Sequence, residues 1–349
     1  MRETLRKRRL DGLLVTDINN VRYLTGFSGT SGFALITAQK AFFVTDFRYR
    51  EQAAEQVKDW DIVMEKGRRV RTIQGLLKKN KISKLGFESS VSYAFYERLS
   101  RTGAGLYAVE EVVEKLRARK DESEINSIVE AARRAEAAFL DVKPHIKCGA
   151  TEISIALRLE ERLKKRGCRC VPFDVIVASG PNSAMPHAKP TKRKLMKGDL
   201  LVIDWGGEAD GYFSDMTRTF LMKVDSRYSR EKKIYRTVLD ANRKSIGSVC
   251  PGMESRKIDE AARAVIREAG YSEFFGHGTG HGVGLQVHES PRITWSVSEI
   301  MRQNMVFTIE PGIYIPGLGG VRIEDMVVVG KKKACILTSL PKELEILQA

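Results

Sequence analysis

The chain has 349 residues, of which 42% are hydrophobic and 30% charged, a balance that excludes disordered, fibrous and membrane-embedded classes. At that length two domains are expected in place of one core. The formal net charge is +15, yet the basic clusters at Arg6–Arg9, Lys66–Arg71, Arg162–Arg169, Lys189–Lys197 and Lys331–Lys333 are scattered and accompany no nucleic-acid module, so they read as solvated surface with no nucleic-acid partner.

The amino terminus carries only a short apolar run, Gly12–Val15, too short for a signal-peptide core, and no run approaches membrane-spanning length. A cytoplasmic protein without membrane attachment is expected. The five cysteines, Cys148, Cys168, Cys170, Cys250 and Cys335, are odd in number and scattered, and read as reduced thiols. Cys168-Arg169-Cys170 lacks a second cysteine or histidine pair with which to hold a metal.

In chain order, a basic amphipathic helix at Glu3–Arg9 leads into strands at Gly12–Thr16, Gly32–Thr37 and Ala41–Thr45. The glycines around Phe27 fit a turn of positive φ better than a phosphate loop, because no P-loop or dinucleotide fingerprint surrounds them. Helical spacing at Arg48–Val57, a strand at Asp61–Glu65, a helix at Val70–Lys79, and strands at Lys84–Glu88 and Leu106–Glu110 around a helix near Tyr93–Leu99 complete an α/β layer. The boundary falls near Leu116–Asp121, where the charge-dense segment Arg117–Glu124 begins, giving domains at 1–118 and 119–349.

Beyond it, Asp121 or Ser123 is placed to cap a long helix from Glu122, and Thr151 opens a second that stops at Gly167. Phe173–Gly180 reads as a strand feeding a loop with Pro186-His187-Ala188. Helices follow at Ser229–Ile246 and Ile258–Gly270. Gly276–Gly284 is too glycine-rich for a stable helix, so His277 and His281 are not a zincin-type helical pair.

The chemistry concentrates between Leu201 and Asp325. Asp204 ends the apolar strand Leu201–Asp204, and Asp215 follows 11 residues later. His277 and His281 lie in His-Gly-Thr-Gly-His, with His288-Glu289 beyond. Glu310 closes Phe307–Glu310, and Glu324 stands 14 residues further on. Two divalent cations about 3.5–4 Å apart need several carboxylates, because only anionic oxygens can bridge and neutralise both. The mixed oxygen and nitrogen set suits manganese, cobalt, iron or zinc better than calcium. The spacings suggest two hairpins, Asp204…Asp215 and Glu310…Glu324, as two halves of one cage.

This segment resembles the pita-bread metallopeptidases, and within them the Xaa-Pro branch of prolidase and aminopeptidase P. Tyr23–Gly29 and Val44–Tyr49 are similar to the amino-terminal domain of those two, which methionine aminopeptidases lack. The resemblance implies an α/β amino-terminal domain followed by an α+β pita-bread (creatinase/aminopeptidase) catalytic domain, in a homodimer whose amino-terminal domain sits over a catalytic cleft, often the neighbour's. It implies two divalent metal ions, manganese or cobalt foremost and zinc or iron as alternatives. Asp204 would chelate one ion, His281 with Glu310 the other, and Asp215 and Glu324 would bridge them.

The implied reaction is hydrolysis of the Xaa-Pro bond of dipeptides or short proline-containing peptides by a metal-bridging hydroxide. Glu310 would double as proton shuttle, while His187 and His288 would bind substrate and stabilise the tetrahedral intermediate. His277 is a further candidate on the substrate side, and Arg292 matches an arginine that prolidases place near the substrate carboxylate. Tyr212 and Arg322 are expected to support or pack. Compact length and Arg292 favour dipeptides. A non-catalytic peptide-binding module is disfavoured by the full ligand set, and a methionine aminopeptidase by the amino-terminal domain and Pro186-His187.

Overall fold

The computed structural model describes residues 1–223 and 228–347. The chain divides into two compact units, Met1–Arg117 and Ala118–Ala349. Among the described residues no helix is long and apolar enough to cross a membrane.

In the first unit, strands β1 (Gly12–Val15), β2 (Phe33–Thr37), β3 (Ala41–Thr45), β4 (Asp61–Met64), β5 (Lys84–Glu88) and β6 (Gly105–Val109) form one sheet in the order β4-β3-β2-β1-β5-β6. Helices α1 (Arg2–Arg8), α2 (Ile18–Thr25), α3 (Arg50–Gln56), α4 (Arg69–Lys79), α5 (Tyr93–Ser100) and α6 (Glu114–Arg117) accompany it. Every residue of β1 and β2 is buried, so both faces of the sheet are covered. Leu13 and Val15 pack with Phe27 and Phe43, while Leu14 packs with Leu35, Ile73 and Leu85 on the other face, because successive strand side chains alternate. Helix α2 is absent from the sequence reading. Asn19-Asn20 are weak helix formers, but the Asp17 side chain accepts both of their amides and Gly26, at φ 76°, ends the helix.

The second unit begins with α7 (Glu122–Val142), opened by a reciprocal cap between Asp121 and Glu124. Its small face lets the Gly206-Gly207 turn approach, and a side chain at Gly207 would strike the Ala131 carbonyl. Helix α8 (Glu152–Lys165) is capped by Thr151. Strands β7 (Ile176–Ser179), β8 (Leu200–Trp205), β9 (Glu208–Ala209), β10 (Tyr212–Phe213) and β11 (Met216–Met222) follow, then α9 (Ser229–Ser248) and α10 (Ser255–Glu268). The remaining strands are β12 (Gly280–Gly282), β13 (Glu289–Ile293), β14 (Val306–Ile309), β15 (Gly312–Ile315), β16 (Gly319–Arg322), β17 (Asp325–Val329), β18 (Ala334–Ile336) and β19 (Glu345–Leu347).

Among the described residues two larger sheets result, β19-β11-β8-β7 and β13-β12-β14-β17-β18, beside the two-stranded β10-β9 and β15-β16. In the first, β8 and β11 pair antiparallel and enclose the small hairpin β9/β10; in the second, β14 and β17 pair antiparallel and enclose β15/β16. The same device occurs twice. Each time, two carboxylates sit where the outer strands give way to the inner hairpin. Phe139, Leu159 and Leu163 of α7 and α8 pack on Ile203, Trp205 and Met326, whereas Ile234, Val238, Ala262 and Ile266 of α9 and α10 pack on Leu221, Ile313 and Val321. Helices thus shield the strands that carry the acids.

Candidate metal centre

Asp204 lies on β8, Asp215 just before β11, His281 on β12, Glu310 just after β14 and Glu324 between β16 and β17. Three of the four acids therefore occupy strand breaks, where the backbone can turn a side chain inward without the strict alternation of a strand. All five line one cavity of about 450 Å³, together with His187, His277, His288 and Arg322. Donor atoms of Asp215, His281 and Glu324 lie within 4.8 Å of one another.

Neighbouring strands hold these groups. Thr217 Oγ1 donates to Glu324 Oε2 at 2.7 Å, and the Glu324 amide donates to the Thr217 carbonyl at 3.1 Å. The Glu310 amide donates to the Thr279 carbonyl at 2.7 Å. Arg322 Nη2 donates to Asp204 Oδ2 at 2.7 Å, and its Nη1 donates to the Tyr314 hydroxyl at 3.0 Å. That hydroxyl sits 3.0 Å from His277 Nε2, while His277 Nδ1 faces the Gly278 carbonyl at 2.8 Å. One tautomer satisfies the whole chain: Nδ1–H donates to Gly278, and the tyrosine O–H donates to Nε2.

The electrostatics favour a cation. Burial and the negative charges of Asp204 and Glu310 push the Asp215 carboxyl well above the usual range. Burial and the charges of Asp215, Glu310 and Asp204 do the same to Glu324. Burial also raises Glu310, against the pull of His277 and Arg322. Gathering these acids without cations keeps protons on them. Asp204 Oδ1 is buried and finds no hydrogen-bond partner among the described residues, the state expected of an oxygen aimed at an ion.

His281 fits the same role. Its Nδ1 faces the Gly282 carbonyl at 3.2 Å, so Nδ1 carries the proton and Nε2 presents its lone pair. Burial keeps the ring below its ordinary pKa, hence neutral. Nε2 stands 3.6 Å from Asp215 Oδ2 and 3.4 Å from Glu310 Oε1. Atoms sharing one ion at about 2.1 Å would lie roughly 3.0–3.4 Å apart, so these separations are close to what a shared ion would need.

The other expected site residues divide. His187 and His288 are exposed and line the cavity, with the His288 ring 4.2 Å from that of His281. His277 also lines it, but both ring nitrogens face protein partners, which leaves its carbon edge for a ligand. Arg292 is exposed and does not line the cavity. It pairs across strands with His281, so the two side chains leave the same face of the sheet. Thr217 and Tyr314 went unread, because a hydroxyl within an apolar strand gives no local sign of its distant partner. Asp174 and Lys189 also line the cavity; the nearness of Lys189 to His187 in the chain was the available hint.

This donor set, buried in a cleft walled by Phe173, Ile176 and Pro186, defines a metal-dependent hydrolase. Residues 126–331 match the profile of metallopeptidase family M24, and residues 1–119 match that of the creatinase/prolidase N-terminal domain. The chain belongs to metallopeptidase family M24, and membership implies divalent metal ions. It is similar to the Xaa-Pro dipeptidase of Pyrococcus horikoshii, 38% identical over 346 residues that cover 98% of this chain and 96% of that one. Among solved structures, an Xaa-Pro dipeptidase from Bacillus anthracis aligns with a TM-score of 0.96 at 39% identity, covering 99% of this chain and 98% of that one. An X-Pro aminopeptidase from Thermotoga maritima MSB8 aligns with a TM-score of 0.88 at 35% identity, covering 97% and 98%. The architecture is accordingly a creatinase-type α/β domain followed by a pita-bread catalytic domain.

Proposed function

We propose that this chain hydrolyses the peptide bond preceding proline, with Xaa-Pro dipeptides favoured over longer peptides. The convergence of Asp204, Asp215, His281, Glu310 and Glu324 on one cavity carries the reading, and the likeness to two Xaa-Pro dipeptidases over nearly the whole chain supplies the substrate. The cavity, about 450 Å³, lies within the range of small-molecule sites.

The five residues would hold two divalent cations, manganese or cobalt in the first instance. When bound, these supply the polarisation of the scissile carbonyl and the acidification of water that hydrolysis at neutral pH demands. Glu310 takes the proton released by the attacking water and passes it to the departing amine nitrogen. His288 and His187, both open to the cavity, donate hydrogen bonds to the carbonyl oxygen as it gains charge. Burial and the neighbouring His281 hold His288 below its ordinary pKa, so it enters the reaction as a neutral donor. The His277 ring edge packs against the substrate. Arg292 meets the free carboxylate of a dipeptide from the neighbouring strand. In solution the protein would be a homodimer, which light scattering tests.

The decisive assay compares Ala-Pro, Ala-Pro-Ala and Met-Ala-Ser on chelated protein and on protein reconstituted with manganese or cobalt. Metal-dependent cleavage of Ala-Pro is expected to be fastest. Faster cleavage of Ala-Pro-Ala would move the assignment to an aminopeptidase, and cleavage of Met-Ala-Ser alone would remove the proline preference.

A further inference from the structure

We infer that Lys120 is a positioning residue for His288, acting through a buried ion pair with Glu289. The inference rests on the reading of His288 as a group that touches substrate.

Lys120 lies immediately before the cap of α7. Its amide donates to the Asn304 carbonyl at 2.9 Å, and the preceding Arg119 forms a β-bridge with Met305, so its backbone is anchored beside β14. The side chain then runs inward. Lys120 Nζ stands 2.7 Å from Glu289 Oε1, with 1% of the lysine and 4% of the glutamate side chain exposed. Lysine and glutamate are almost never buried to this degree unless paired. Removing either partner would cost the other this buried ion pair.

Glu289 is the covalent neighbour of His288 and the first residue of β13. Among the described residues no hydrogen bond holds the His288 ring, whose contact is with the ring of His281. The ring is therefore aimed by its backbone, and the backbone is tied down at Glu289. The carboxylate lies across Gly284, where any side chain would collide with it. Gly284 is in turn held to β10, its carbonyl accepting from the Phe213 amide at 2.8 Å. Neither Lys120 nor Glu289 lines the cavity, so their loss removes no donor atom and no substrate contact.

The test uses the manganese-loaded full chain and Ala-Pro. Lys120→Met is expected to lower kcat/KM about 10- to 100-fold, the cost of a misaimed group, with bound metal equal to that of the parent. Lys120→Arg, which keeps the pair, should stay within about threefold of the parent. In a His288→Ala background, Lys120→Met should cost less than about threefold more, since the residue it aims is gone. The chain has five histidines, so in the metal-free protein, where no paramagnetic manganese broadens it, the ring carbon-proton signal of His288 can be assigned by its loss in His288→Ala. That signal should move in Lys120→Met while the signal of His145 stays.

Should Lys120→Met fail to fold, Lys120→Met/Glu289→Gln removes both charges and is expected to fold with the same kinetic defect. An unmoved His288 signal, or the full Lys120→Met loss with His288 already absent, overturns the proposal. A fully active His288→Ala chain overturns the reading of His288 beneath it, a distinct failure.

Discussion

Arg322 Nη2 lies 2.7 Å from Asp204 Oδ2, while Oδ1 of the same carboxylate is buried without a hydrogen-bond partner. The guanidinium fixes one oxygen and would leave the other for the proposed cation. It is held in turn by Thr217 Oγ1 at 3.0 Å from Nε, and by the Tyr314 hydroxyl at 3.0 Å and the Pro186 carbonyl at 3.1 Å from Nη1. Arg322→Met should weaken cation binding by about 10- to 100-fold. Arg322→Lys should restore little, because an ammonium cannot reproduce a planar fork with three bonded nitrogens. Calorimetric titration of the chelated protein with manganese gives the answer, and parental affinity in Arg322→Met would refute it.

The metal-free protein should lose stability as pH rises. Asp215, Glu310 and Glu324 all have raised folded-state pKa values, chiefly through burial. Above about pH 4 the unfolded chain releases protons that the folded chain retains, so the slope of stability against pH is negative for these groups until their folded values are passed. Bound cations replace the protons and remove the slope. The gain in Tm on adding manganese to chelated protein should therefore be larger at pH 8 than at pH 5.5. An equal gain at both would show that the acids do not share one buried site.

That four acids and an imidazole would meet at one cavity was legible in the sequence, because such residue types are rare together and sit at or near strand ends. Helix α7 was legible because its cap and alanine face are local features. What stayed hidden depends on partners far along the chain. Arg322 meets Asp204 across 118 residues, and the ring of His277 is committed to a tyrosine 37 residues on. Lys120 belongs to the charge-dense segment at the domain boundary, and its buried ion pair is with Glu289, 169 residues later. Helix α2 was missed for another reason: its cap outweighs the poor propensity of Asn19-Asn20.

Gly280 offers a steric test of the cage. A methyl group there would be driven into the backbone carbonyl of Thr308 on β14. The residues next in line are His281 and, two beyond Thr308, Glu310. Backbone contacts of this kind yield only if the strands separate, so Gly280→Ala should move the two donors apart. The expected result is a folded protein with about 10-fold or greater loss of metal affinity, read by manganese titration alongside circular dichroism. Gly75→Ala, in open space on α4, should leave affinity unchanged and serves as the control.

Behind Glu324, its neighbour Asp325 is gripped by two cations. Arg218 Nη2 stands 2.8 Å from Oδ1 and Lys342 Nζ 2.6 Å from Oδ2, while Thr338 Oγ1 adds a bond of 2.8 Å. Arg218 also donates to the carbonyls of Thr217, Leu340 and Pro341, so the carboxyl-terminal segment is pinned against β11, beside Glu324. Burial works against an ionised Asp325, yet Arg218 and Lys342 together hold its pKa below the usual value. A lowered folded pKa gives stability that is present above the unfolded value, about 3.9, and is lost as pH falls through the folded one. Arg218→Met leaves that buried carboxylate with half its compensation and should cost about 3–5 kcal/mol in urea unfolding at pH 7. Lys342→Met should cost less, because the lysine side chain is 17% exposed and water can partly replace it. With the arginine gone, the acid loses the partner that kept it ionised, so the variant should unfold at a higher pH than the parent during acid titration. An unchanged urea midpoint in Arg218→Met would mean that the pair contributes nothing to holding Glu324 in place.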